Sequence, residues 1–245
     1  MIVPKPKGAA MIQRSQPKSR IESITTHISI IDNPTRFVLH YSRAVHAYLG
    51  ALVRDVNDAD DVTQELLARV LERGLSWSGN SAPRFRDYLK AVLRNVAVDW
   101  YRSRKRRPIT GTDIDAIARH EAAAVEQWLP DWRDCILEAA WRTLEAHEQQ
   151  KPDNYCYYSL RLASEHPTEP SAQLAVRLSQ KIGRPIRADA FRKQLSRSRR
   201  LFASLIVNEV RQTLSNPCQD RVDDELIHLG LFEYVRHYQA RNCEE

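Results

Sequence analysis

Glycine is scarce in this chain, with seven in 245 residues, and β-branched residues in alternating runs are scarcer still. Strand-and-turn architectures need both, so the shortage argues against a sandwich or barrel. Four cysteines, Cys135, Cys156, Cys218 and Cys243, stand far apart with no CxxC pair and no histidine at ligand spacing. That excludes a disulfide framework and a zinc site and leaves reduced thiols, with no metal and no cofactor expected. No run approaches the roughly 18 apolar residues of a membrane span, and the cationic start "MIVPKPKGAAMIQRSQPKSR" has no apolar block behind it. The expectation is a cytoplasmic protein without a membrane partner.

What is abundant is Ala, Leu, Arg and Glu in helical spacing, which points to an all-α fold. The formal charge of +6 favours a polyanionic partner. Residues 1–33 read as a flexible leader rich in Pro, Lys, Ser and Gln. From Pro34, the spacing of Phe37, Val38, Tyr41, Val45, Tyr48, Leu49 and Leu52 predicts a first helix with one core-facing stripe. "RDVNDADD" then interrupts, with Asn57 or Asp58 expected to cap a second helix ending at Gly74. A third helix follows over "FRDYLKAVLRNVAVDWYRSRKRR" and stops at Pro108.

The second and third helices divide in opposite electrical senses. At about 100° per residue, Val62, Leu66, Leu67 and Val70 line one side of the second helix, and Asp60, Asp61, Gln64, Glu65 and Glu72 the other. On the third, Leu89, Val92, Leu93, Val96 and Trp100 form the apolar face and Lys90, Arg94, Tyr101 and Lys105 the adjoining one. Cations hold phosphates, and Tyr88, Trp100 and Tyr101 are able to stack on unpaired bases, so this face suits single-stranded nucleic acid. A solvated charged surface is the plain alternative for both faces, and Trp100 on the apolar side is more often core. Paired acids also suggest acid–base catalysis, but no nucleophile or histidine accompanies them, so no catalytic residue is assigned.

The acidic, helix-prone stretch "IDAIARHEAAAVEQWLPDW" is expected to be a linker or connecting helix, so that residues 108–131 separate a first helical domain, 34–107, from a second, 132–214. In the second, "SAQLAVRLSQKIG" and "AFRKQLSRSRRLFASLI" have the form of two helices joined by a turn, here as long as the eleven residues "QKIGRPIRADA". Phe191, Leu195, Ser198, Phe202 and Leu205 take one side of the later helix, and Arg192, Lys193, Ser196, Arg197, Arg199 and Arg200 the other, as a major-groove reader would require. The tail 215–245 carries an amphipathic segment whose Leu226, Ile227, Leu229, Leu231, Phe232 and Val235 call for burial, expected against the protein itself.

In order and spacing, "DADDVTQELLARVLERG" followed by "FRDYLKAVLRNVAVDWYRSRKRR" resembles the second conserved region of sigma-70 family factors, especially the extracytoplasmic function group. The later "FRKQLSRSRRLFASL" resembles, less specifically, the helix-turn-helix of the family's fourth region. The resemblance implies a specificity subunit of bacterial core RNA polymerase, without catalysis of its own, that recognises promoter DNA. It implies that Asp60, Asp61, Gln64 and Glu65 dock on the polymerase clamp, and that Tyr88, Lys90, Arg94, Asn95, Trp100, Tyr101 and Arg104 open and hold the minus-ten element. By the same route Arg192, Lys193, Ser196, Arg197 and Arg199 face the minus-35 duplex. An anti-sigma protein is a further candidate partner that no residue identifies. The competing readings are a stand-alone helix-turn-helix regulator and a nucleic-acid-processing enzyme.

Overall fold

The computed structural model describes residues 33–53, 55–77, 84–105, 111–151 and 153–239, so the expected leader lies outside the described residues except for Asn33. These residues form helices α1 (Pro34–Val53), α2 (Val56–Arg73), α3 (Phe85–Lys105), α4 (Gly111–Gln149), α5 (Cys156–Glu165), α6 (Ser171–Ile182), α7 (Ala188–Gln212), α8 (Gln219–His228) and α9 (Phe232–Gln239). Among the described residues the sole strand-like feature is an isolated bridge between Arg84 and Leu214. The fold is all-α, as the composition required.

Packing of α1 follows its stripe closely: Phe37, Tyr41, Val45, Tyr48, Leu49 and Leu52 are buried, and Val38 half-buried. α2 begins at Val56, ahead of either expected cap, because Asp55 is its cap, with its carboxylate accepting from Asn57 N (3.0 Å) and Asp58 N (3.1 Å). The expectation of Asn57 or Asp58 is thus corrected: both are donors in the first turn, whose amides would otherwise be orphaned. At the other end Gly74 takes φ 72° and returns its N–H to Val70 O, the left-handed exit that a side chain disfavours. Ala59, Val62, Thr63, Leu66 and Val70 are buried, while Leu67 is only half-buried.

The stretch read as a linker or connecting helix is helical and longer than expected. α4 runs unbroken for 39 residues, through Pro130 and past the expected domain boundary at 132. Its Ala124, Trp128, Trp132, Cys135, Ile136, Ala139, Ala140 and Leu144 recur at helical spacing and are all buried. Trp132 lies against Tyr41 with ring centroids 4.3 Å apart, and Trp128 meets Tyr48 edge-on at 5.2 Å. Proline removes one backbone hydrogen bond from a helix interior. Here a tryptophan on either side of Pro130 anchors the helix to α1, and the axis continues.

α5, α6, α8 and α9 surround α7, and the apolar core runs through both halves of the chain along α4. The C-terminal segment packs on the protein itself, with Leu226, Leu229, Leu231 and Val235 buried and Phe232 half-buried. Ile227 is the exception: it is 56% exposed, on the outer side of α8. The turn between α6 and α7 is shorter than expected, five residues rather than eleven, because both helices extend into the stretch read as loop. Gly183 closes α6 at φ 70°, and Ser179 Oγ accepts from Ile186 N at 2.8 Å to fix the turn.

Candidate nucleic-acid interface

α2 turns its apolar residues to α1, and this alone orients its acids outward. Asp61, Gln64 and Glu65 are exposed, Glu65 pairing with Arg69 one turn on. Asp60 is held half-open at 2.6 Å from His46 Nε2 on α1. The four residues expected on one face do share it, with Asp60 turned toward α1. Two apolar side chains on the same helix were missed: Val56, 70% exposed, and Leu71, 50% exposed. Leu71 stands seven residues from Gln64 and so on nearly the same side of the helix.

α3 is anchored at its start. Phe85 N donates to Thr213 O at 2.8 Å, and the Phe85 ring meets Phe37 and Trp77 edge-on at 5.9 and 5.4 Å. Arg86 Nε donates to Glu225 Oε1 at 2.7 Å and Arg84 Nε pairs with Glu225 Oε2 at 2.9 Å, with Glu225 fully buried. Leu89, Leu93 and Ala97 then hold the helix down, which sets the direction of everything else on it.

Of the residues expected to read DNA on α3, Lys90, Arg94 and Tyr101 follow one stripe. Lys90 is half-buried and Asn95 exposed on another side. Arg94 Nε donates to Glu121 Oε2 on α4 at 2.9 Å. Tyr101 is fixed by its hydroxyl, which donates to Leu52 O at 3.0 Å, and Trp100 meets it edge-on at 4.8 Å while leaning on the core. Tyr88 lies apart, half-buried beside Phe85 at 6.0 Å; burial pushes its hydroxyl pKa up, against a hydrogen bond with the Ser76 backbone. Arg104 belongs to the last turn of α3, and its side chain, like Arg106 and Arg107, lies outside the described residues.

In the second half Arg192, Lys193 and Arg197 are exposed on the N-terminal part of α7, and Ser196 is half-buried. Arg199 is half-buried, and its guanidinium lies 5.7 Å over the Tyr238 ring of α9. Arg184 stacks over Tyr155 at 5.2 Å and pairs with Asp153 at 3.0 Å.

The described cysteines, Cys135, Cys156 and Cys218, are free thiols; burial raises the pKa of the first two. Among the described residues no cluster of three His, Cys, Asp or Glu stands close enough to hold a metal, and no helix is long and apolar enough to cross a membrane.

Residues 37–107, the span of α1, α2 and α3, match the family model of Sigma-70 region 2. The chain is 32% identical over 94 residues to the ECF RNA polymerase sigma factor SigX of Bacillus subtilis, a match covering 37% of this chain and 45% of that protein. It is 35% identical over 80 residues to the probable RNA polymerase sigma factor RfaY of Xanthomonas campestris, covering 33% of this chain and 20% of that one. The chain therefore spans less than half the length of these curated relatives. No solved structure matches it. The acidic helix, the loop and the basic, aromatic helix thus lie within the stretch that matches Sigma-70 region 2, and the relatives it is similar to are sigma factors.

Proposed function

We propose that this protein is a sigma factor: it binds bacterial core RNA polymerase in the cytoplasm and directs promoter recognition, DNA opening and transcription initiation, with no chemistry of its own. The observation that carries the reading is the coincidence of the region 2 match with a pair of neighbouring helices of opposite charge. Asp60, Asp61, Gln64 and Glu65, with Leu71 beside them, are assigned to the polymerase clamp. Lys90, Arg94, Asn95, Tyr101 and Arg104 are assigned to the opened minus-ten strand, with Tyr88 and Trp100 shaping the surface from its edges. Stacking plus phosphate contact supports capture of unpaired bases.

A second DNA contact is assigned to α7, through Arg192, Lys193, Ser196 and Arg197 on the minus-35 duplex. The five-residue turn and the exposed cations support it. An anti-sigma partner remains a proposal without an assigned surface.

The test is co-elution with core polymerase together with transcription in vitro and mapping of start sites. Co-elution and promoter-dependent initiation are expected. Tight duplex binding without polymerase, and no initiation with it, would instead support the stand-alone regulator.

A further inference from the structure

Arg36 and Arg86 turn inward, and each meets a carboxylate there: Arg36 Nη2 stands 2.6 Å from Glu209 Oε1, and Arg86 Nε 2.7 Å from Glu225 Oε1. Arg199 on α7 is also half-buried, yet no carboxylate pairs with it among the described residues, and its guanidinium lies over the Tyr238 ring instead. A cation drawn partly out of water without a counter-ion is incompletely solvated. An anion that reaches it forms short, often bidentate hydrogen bonds.

Arg199 lines a cavity of about 220 Å³ between α4, α5, α7 and α9. The walls of that cavity are aromatic. Trp141 meets Phe202 with ring centroids 4.6 Å apart, Phe202 meets Tyr234 edge-on at 6.2 Å, and Tyr234 meets Tyr238 at 4.9 Å. The rings thus run without a break from α4 across α7 to α9. Leu160, Ala163 and Ser164 of α5 complete the lining, and Ser164 is exposed. Among the described residues no acidic side chain lines it.

Charge decides which ligand such a cavity fits. Aromatic cages hold cations by their ring faces. Here guanidinium groups already lie over both end rings, Arg199 over Tyr238 at 5.7 Å and Arg161 over Trp141 at 5.8 Å, so a third cation would meet like charge. The two arginines differ, because Arg161 is neutralised by Glu165 at 2.8 Å and Arg199 has no such partner. An anionic group is therefore drawn to the Arg199 end. A flat ring behind it gains offset and edge-on contacts with the walls that an aliphatic body of the same size lacks. The volume falls below the roughly 300–1,000 Å³ of pockets for drug-sized molecules, which limits the ligand to one or two rings.

We propose that this cavity binds a small aromatic acid, its carboxylate on Arg199 and its ring against Trp141, Phe202, Tyr234 and Tyr238. One ligand thereby touches α4, α5, α7 and α9, and ties the C-terminal helix to the helix assigned to the minus-35 duplex. The site lies outside residues 37–107, and the inference does not rest on the sigma-factor reading.

Benzoate titrated into the full chain, followed by calorimetry, tests it. Saturable binding with a Kd of about 1 mM is expected. Benzamide lacks the charge, cyclohexanecarboxylate lacks the aromatic ring and benzylammonium carries the opposite sign, so each should bind at least about fivefold more weakly. Arg199→Gln should weaken benzoate about tenfold while leaving benzamide within about twofold. Arg161→Gln, whose charge Glu165 already cancels, should leave benzoate within about twofold. Ser164→Phe, on the exposed side of α5, fills the cavity and should abolish binding of both probes with helical circular dichroism unchanged. No saturation by benzoate, benzoate bound no more tightly than benzamide, or equal benzoate affinity in the Arg199→Gln and parent chains would overturn the proposal. Should Arg199→Gln fail to fold, Ser164→Phe decides: benzoate bound as by the parent chain contradicts the site, and lost binding with an intact fold supports it.

Discussion

α3 and α7 are both basic helices, yet they spend their cations differently. On α3, Arg86 is sunk against Glu225, Arg94 reaches Glu121 and Tyr101 is tied to Leu52 O. On α7, Arg192, Lys193 and Arg197 stand out in solvent, whereas Arg199 is turned to the protein over Tyr238 and Arg211 donates to Gln219. A run of cations thus fixes a charge but not its owner. Carboxylates 27 and 139 residues away decide which of α3's cations are free for a ligand.

The largest effect should come from the residue that ties α4 to the first half. Trp132 is fully buried against Tyr41, so Trp132→Ala is expected to cost about 3–5 kcal/mol in chemical denaturation. A loss below about 1 kcal/mol would mean that α4 is a linker after all, as the acidic composition of its first part suggested.

Next comes pH, through the pair that α7 shares with α1. His40 has a carboxylate 3.8 Å away, but burial, Arg36 and Arg142 outweigh it and pull its pKa from 6.5 down to about 4. Between those values the unfolded chain binds a proton that the folded chain refuses. Stability should therefore fall as the pH drops from about 6.5 and level off below about 4, by at most about 3 kcal/mol. His40→Gln should flatten that window in urea titrations; an unchanged slope would assign it to other groups.

Legibility in the sequence followed the range of the interactions involved. The bounds of α1 and α3 and the opposed faces of α2 and α3 came from spacings of three and four residues, a local property. Asp55 was passed over as the cap because two equally suitable residues, Asn57 and Asp58, follow it at once. The Ala124–Trp128–Trp132 stripe was hidden because Pro130 punctuates it and acids surround it, although its spacing was present to be read. Glu225, Glu209 and Glu121 gave no signal, since their arginines lie on other helices. The exposure of Leu71 beside buried Val70 depends on where α1 sits, which no local pattern carries.

A smaller effect sharpens the contrast between the two basic helices. Removing the carboxylate that occupies Arg94, with Glu121→Gln, should leave stability within about 1 kcal/mol, since the pair is largely exposed. Affinity for single-stranded minus-ten DNA should rise about two- to fivefold in a fluorescence titration. Arg94→Ala should abolish that gain, and its persistence would show that Arg94 is not the group released.

The central claim is that α2 faces protein and α3 faces opened DNA. Promoter melting measured against core polymerase concentration tests it, because the midpoint reports assembly and the plateau reports opening. Asp61→Ala/Gln64→Ala should move the midpoint about tenfold higher, some 1.4 kcal/mol, and reach the same plateau. Lys90→Ala/Asn95→Ala should keep the midpoint and lower the plateau. The reverse pattern, or the same change in both, would contradict the assignment of one helix to polymerase and the other to DNA.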